Sequence, residues 1–208
     1  MSVPTEGKTK KAEATRTLLI EAAERLIAQK GLENVSTREI LQEAGQKNQS
    51  ALQYHFGSKG GLIGATINER TLQLDSRRLE LLNAIEGKPT LRQIIKVIVR
   101  PLLELIRNDA AGKNYLIFLS QAITRPNWDL AKIIEDFNIV GLGRSYTLYD
   151  EALPHLSEED RTMRKQIGFD LAILTLKRWC MGEEKINYTL EEIEEFITKM
   201  TLAILTAE

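Results

Sequence analysis

The sequence predicts an all-α protein of about nine helices. Apolar residues recur at three- and four-residue intervals along most of the 208-residue chain, the helix-favouring Leu, Ala, Glu, Lys and Ile dominate, and only five prolines interrupt them. No segment shows the strict alternation of a half-buried strand, and no internal repeat is apparent.

Residues 1–13 are rich in Lys, Thr and Glu, lack periodicity and are expected to form a disordered arm. From Ala14 the pattern is helical: Leu18, Leu19, Ala22, Ala23, Leu26 and Ile27 share a face, and Gly31 stands where a helix end favours positive φ. Ser36-Thr37-Arg38-Glu39 has the form of a capping box and opens a short helix that Gly45 closes. Asn48 is expected to cap a third helix ending near Phe56-Gly57. Long helices follow over 61–84 and 90–107, the second kinked or split by Pro101, and then over 113–124. Asn127 is expected to cap a segment running towards Leu153, with Gly141 and Gly143 unsettling its middle. Ser157 and the acids behind it open a helix to Met181, and Leu190–Thr206 is the last.

This organisation suggests an arm (1–13), a three-helix unit (14–60) and a larger helical unit (61–208). The single cysteine, Cys180, cannot form an internal disulfide and reads as a small apolar residue in a reducing compartment. The N-terminal charges have no apolar stretch behind them, and no run is long enough for a membrane helix, so a cytoplasmic protein with no membrane partner is expected. Residues 1–60 carry nine Lys/Arg against seven Asp/Glu, a surplus too small to imply an anionic partner unless its cations are clustered.

A helix, a short helix, a turn and a second short helix form the helix-turn-helix arrangement. The second short helix must expose hydrogen-bonding side chains to the bases of the major groove while its other side is anchored. The stretch GQKNQSALQYHFGSKGGL, residues 45–62, meets both needs. Its amides suit adenine, Lys47 suits guanine, Ser50 and Tyr54 suit phosphate, and Leu52 and Phe56 face inward. The same pattern also fits a purely structural surface helix. Gly57-Ser58-Lys59-Gly60-Gly61 has the composition of a nucleotide-binding loop but neither its order nor a preceding strand.

From Arg16 to Ile67 the chain resembles the N-terminal domain of TetR-family transcriptional regulators. The resemblance lies in Ala22-Ala23-Glu24 and Gly31, Ser36-Thr37-Arg38-Glu39-Ile40, Glu43-Ala44-Gly45, and Tyr54-His55-Phe56 followed by Ser58-Lys59 and Leu62. Gly45 to His55 is one residue longer than the usual family spacing, and Gln53 stands where Tyr is common, so a lengthened turn is expected. The resemblance implies a homodimer on double-stranded DNA, acting as a repressor at a palindromic operator and released by an unidentified small-molecule effector. Thr37 and Arg38 would then lie at the groove edge, Lys47 just before the recognition helix, Asn48, Gln49, Ser50 and Ala51 along it, Gln53, Tyr54 and His55 near its end, and Lys59 against a phosphate.

The remaining two-thirds are expected to dimerise and to sense a ligand. Tyr115, Phe118, Gln121, Trp128, Phe137 and Tyr146 are the candidate ligand-binding residues, being aromatic or amide groups set among Leu and Ile. The last two long helices are apolar on more than one face, and the resemblance implies that they pair with their symmetry mates. Ile167, Leu171, Leu174, Ile193, Phe196, Ile197 and Met200 are the candidate interface residues. The helix beginning at Gly61 would be the lever between the two units. No cofactor or metal site is expected. With two His, one Cys and no E-x-x-H pair, a helical-bundle enzyme is disfavoured, whereas a protein-interaction module that keeps the helix-turn-helix as structure stays open.

Overall fold

The computed structural model describes residues 6–108, 110–125, 129–182 and 188–207. These residues form ten helices and, among them, no strand. Two compact units divide between Glu69 and Arg70, inside the fourth helix rather than at residue 60.

In the first unit, α1 spans Glu6–Lys30, α2 Thr37–Glu43 and α3 Ala51–Phe56, and α4 begins at Lys59 and ends at Asn83. Helix α1 starts well ahead of Ala14, so residues 6–13 are helical rather than part of a disordered arm. They have no apolar face, but Glu, Lys and Ala propagate a helix readily once the Leu19–Ile27 segment has nucleated it. Leu19, Ala22, Ala23 and Ile27 are fully buried, with Ile40, Leu52 and Leu62 in the same core. Gly31 ends α1 at φ +91°, as its position predicts.

The second unit completes α4 and adds α5 (Leu91–Asn108), α6 (Ala110–Ala122), α7 (Leu130–Asp136), α8 (Val140–Ala152), α9 (Glu158–Met181) and α10 (Leu190–Thr206). Helix α10 packs on α5 and α9, α6 packs on α5 and α9, and α8 packs on α5. Pro101 lies inside α5, which continues past it as one helix. Helices α5 and α10 run antiparallel along a ladder of ion pairs, with Arg92 on Glu195 at 2.7 Å and both oxygens of Glu194 on Arg100 at 2.7 Å. Glu194 is buried, so the Arg100 fork supplies hydrogen bonds that water no longer gives it.

The segment expected to run towards Leu153 is two helices. Asn127, its expected cap, lies outside the described residues, and Asp129 caps α7 by accepting from the Lys132 N–H at 3.0 Å. The chain then turns at Asn138, which has φ +50°, and α8 begins without a side-chain cap of its own. Its cap comes from α4. The Asp75 carboxylate accepts the N–H groups of Gly141 at 2.7 Å and Leu142 at 2.8 Å. A Cβ on Gly141 would stand 2.9 Å from the Asp75 backbone and carboxylate oxygens, so glycine permits this approach. Ser157 caps α9 as expected, accepting from the Asp160 N–H at 3.0 Å behind three acids in the first turn.

Candidate functional site

The start of α2 is fixed by a reciprocal cap. Ser36 Oγ accepts from the Glu39 N–H at 3.2 Å, and Glu39 accepts from the Ser36 N–H at 2.9 Å. Lys30 also donates to Glu39 at 2.8 Å, and with the Ser36 bonds this brings the carboxyl from 4.5 to about 2. Thr37 and Arg38, in the first turn behind this cap, are exposed. Helix α2 ends in a Schellman motif: the Gly45 N–H donates to Gln42 and the Gln46 N–H to Leu41, with Gly45 at φ +65°.

The turn then runs to Ser50. Asn48 does not cap α3, which begins at Ala51 with Ser50 before it. Instead Asn48 Oδ1 accepts from the Ser50 N–H at 3.0 Å and from Ser50 Oγ at 2.8 Å, a local Asx turn that replaces the helix's first turn. Lys47, Asn48, Gln49 and Ser50 are therefore exposed on the turn, while Gln53 and Tyr54 are exposed on α3 itself. Tyr54 is 79% exposed, and the half-buried His55 ring meets it edge-on at 4.9 Å between centroids.

The opposite side of α3 is held from three directions. Ala51 and Leu52 are buried, and the Arg16 guanidinium lies 5.6 Å from the Phe56 ring centroid while it pairs with Glu69. Gly57, at φ +71°, ends the helix. A Cβ on Gly61 would stand 2.0 Å from the Phe56 carbonyl oxygen, so α4 starts against the end of α3 in a way only glycine allows. Ser58 accepts the Gly61 N–H at 2.9 Å. The nucleotide-loop composition of residues 57–61 is thus the chemistry of a tight helix-to-helix joint. Lys59 points inward at this joint and donates to the Leu32 carbonyl at 2.6 Å, an engagement not legible in the sequence.

Two short helices joined by a glycine turn, one side buried and the other offering Arg38, Gln53 and Tyr54, form a helix-turn-helix. Its sequence matches the family model described as bacterial regulatory proteins of the tetR family over residues 19–66. Over these residues the chain is similar to that family. Structural likeness to TetR-type regulators extends beyond the matched segment. The regulator FadR from Bacillus subtilis, solved in complex with stearoyl-CoA, is 17% identical with a TM-score of 0.64, over 92% of this chain and 98% of that one. The fatty acid degradation regulator FadR from Bacillus halodurans is 18% identical with a TM-score of 0.61, over 92% and 98% of the two chains. NalD from Pseudomonas aeruginosa, the secondary repressor of the MexAB-OprM efflux pump, is 20% identical with a TM-score of 0.56, over 91% and 96%. At these identities the likeness is one of fold. No curated protein sequence matches the chain.

The six candidate ligand residues do not converge. Tyr115 and Phe118 are fully buried and stack on each other at 6.1 Å, filling core volume on α6. Gln121 and Phe137 are half-exposed and do not line the apolar cleft among α5, α8, α9 and α10, and Trp128 lies outside the described residues. Tyr146 does line that cleft, a narrow apolar space of about 30 Å³, together with Tyr149, Lys165, Phe169 and Thr201. The last four carry no sequence signal, because each belongs to a different turn of a helix and only packing aligns them.

The interface candidates separate by burial. Ile193 and Ile197 face their own core at 1% and 0% exposure, which removes them from any outer face and corrects the sequence reading. Ile167, Leu174, Phe196 and Met200 are exposed, and Leu171 is half-buried. Met163 and Met181 extend the exposed apolar row along α9. Burial raises the Cys180 thiol to about 11, which keeps it protonated and unreactive near neutral pH. Among the described residues no helix is long and apolar enough to cross a membrane, and no group of His, Cys, Asp or Glu is placed to hold a metal.

Proposed function

We propose that the chain is a ligand-responsive repressor that binds a palindromic operator as a homodimer. The observation that carries this reading is the exposed polar side of α3, with Gln53 and the largely uncovered Tyr54, beside Thr37 and Arg38 on α2. A surface helix with no partner gains nothing from presenting a phenol and amides on a rigid, glycine-jointed frame, whereas a groove-reading helix requires it. Lys47, Asn48, Gln49 and Ser50 would approach the DNA from the preceding turn, with His55 beside Tyr54 and Lys59 at the joint. The exposed rows on α9 and α10 support self-association, since apolar stripes of this length are rarely left to water. That one fold neighbour is a repressor, and another was solved with stearoyl-CoA, supports repression relieved by a bound ligand.

Selection of bound sequences from a random duplex pool tests the reading directly. A palindrome bound with steep loss of affinity as salt rises is the expected result. Arg38→Ala is expected to weaken binding to all sequences, and Gln53→Ala to change preference among them. If no sequence is enriched and the two variants behave as wild type, the helix-turn-helix is structural and the protein-interaction reading takes its place.

A further inference from the structure

We propose that Arg16 is the positioning residue of the recognition helix: its guanidinium bridges the Phe56 ring and the Glu69 carboxylate, and this bridge sets the pose in which α3 offers Gln53 and Tyr54. The effect on DNA rests on the preceding reading, whereas the bridge and its hold on α3 do not.

A helix of six residues is not stable by itself in water, so α3 keeps its place only through what it packs on. Ala51 and Leu52 bury its first turn. Further on, Tyr54 is exposed and His55 and Phe56 are half-buried, which leaves the Phe56 ring as the anchor of that end. Helix α2 is tied differently. Glu39 accepts from Lys30 and Glu43 from Arg25, both at 2.8 Å, so two carboxylates of α2 hold two cations of α1. The sequence of α3, ALQYHF, has no carboxylate to offer a third. An acid there would face the phosphates of a bound duplex. The face of an aromatic ring attracts a cation without carrying net charge, and Arg16 lies over Phe56, 5.6 Å from its centroid.

The same guanidinium holds α4. Arg16 Nη1 donates to Glu69 Oε2, and both side chains are part-buried, which limits screening by solvent. Glu69 is the last residue of the first unit and lies about 15 Å along α4 from Lys59. A planar guanidinium can lay its face on a ring and direct its edge at a carboxylate, whereas an ammonium has no plane with which to do both. Helices α1, α3 and α4 therefore meet through one side chain. A displacement of α4 at Glu69 draws the guanidinium off the ring and frees the C-terminal end of α3.

Amide hydrogen exchange of the full chain without DNA tests the bridge, with Arg16→Lys and Phe56→Leu made singly and together. The reporters are the Tyr54 and Gly57 N–H groups, which donate to Ser50 and Gln53. The controls are the Gly31 and Ala44 N–H groups, at the ends of α1 and α2. Arg16→Lys is expected to speed exchange at the reporters about tenfold and to leave the controls unchanged. Added to Phe56→Leu it is expected to change nothing further, because the ring it acts on is gone. The proposal is overturned if the reporters exchange as in wild type, if the controls accelerate as much, or if the two effects add. Should Phe56→Leu not fold, the contrast between reporters and controls in Arg16→Lys decides.

A duplex selected from the random pool and a scrambled duplex of equal length supply the second readout. Arg16→Lys is expected to bind the selected duplex about fivefold more weakly and the scrambled one as wild type does, since Arg16 orients α3 and itself touches no base or phosphate. Equal losses on both duplexes, or none on either, would overturn the positioning role. If no duplex is enriched, the operator reading fails and hydrogen exchange alone decides on the bridge.

Discussion

Lys59 Nζ donates to the Leu32 carbonyl oxygen at 2.6 Å, tying the first turn of α4 to the loop after α1. Lys59→Ala removes this charge-assisted bond. It is expected to cost about 1–2 kcal/mol of stability, measured by urea denaturation without DNA. A loss of DNA affinity in this variant therefore has to be compared with Arg38→Ala, whose exposed side chain is expected to leave stability within about 0.5 kcal/mol of wild type.

The joint between α3 and α4 depends on Gly61. Alanine there places its Cβ 2.0 Å from the Phe56 carbonyl oxygen, and backbone rather than a flexible side chain has to move. Gly61→Ala is expected to destabilise the first unit by at least about 2 kcal/mol. Differential scanning calorimetry reads this, and an unchanged melting temperature would refute the close approach.

Asp75 holds two N–H groups of α8 and stands 3.9 Å from Arg78, which is 2% exposed and whose guanidinium pKa burial pulls down against the opposing pull of Asp75. Removing the carboxylate uncaps α8 and leaves a buried cation without its counter-charge. Asp75→Ala is expected to cost about 3–5 kcal/mol in urea denaturation, with Asp75→Asn intermediate because its amide oxygen still accepts.

The cap of α2 should weaken in acid. The Lys30 and Ser36 hydrogen bonds hold the Glu39 carboxyl at about 2 in the folded chain against an ordinary 4.5. Between those values the unfolded chain binds more protons. The contribution of this cap is therefore complete above pH 4.5 and is lost as pH falls towards 2. A carboxyl chemical-shift titration of Glu39 is expected to show a midpoint near 2, and Lys30→Met to move it upward.

The exposed row on α9 and α10 is expected to mediate self-association. Phe196→Glu or Met200→Glu, at positions 38% and 41% exposed, is expected to shift sedimentation from dimer to monomer with little change in the monomer's helicity. Ile197→Ala, fully buried in its own unit, is expected to lower the melting temperature instead.

Much of the helix-turn-helix was legible because its signals are local. Ser36 and Glu39 lie three residues apart, and the glycines that stop α1, α2 and α3 act on their own φ. Helix α3 starts at Ala51 rather than directly after Asn48 because Asn48 has two local options, capping a helix or folding back on Ser50, and the choice depends on how Ala51 and Leu52 are buried. The aromatic candidates for ligand binding are scattered for a related reason, with only Tyr146 on the cleft. Composition identifies a Tyr or Phe as apolar bulk, but whether Tyr115 fills the core or lines a cleft is set by helices distant in the chain.

The sequence by itself determined the all-α class, the caps of α2 and α9, the glycine punctuation and the helix-turn-helix, since hydrophobic period and capping act within a turn or two of the chain. Tertiary structure alone decided the break before α8, where Asp75 reaches across 66 residues to its N–H groups. It also decided which face of α10 stays in water and the meeting of Tyr149, Lys165 and Thr201 in one cleft. Those outcomes depend on how helix faces are shared among neighbours, a competition for burial that no single segment encodes.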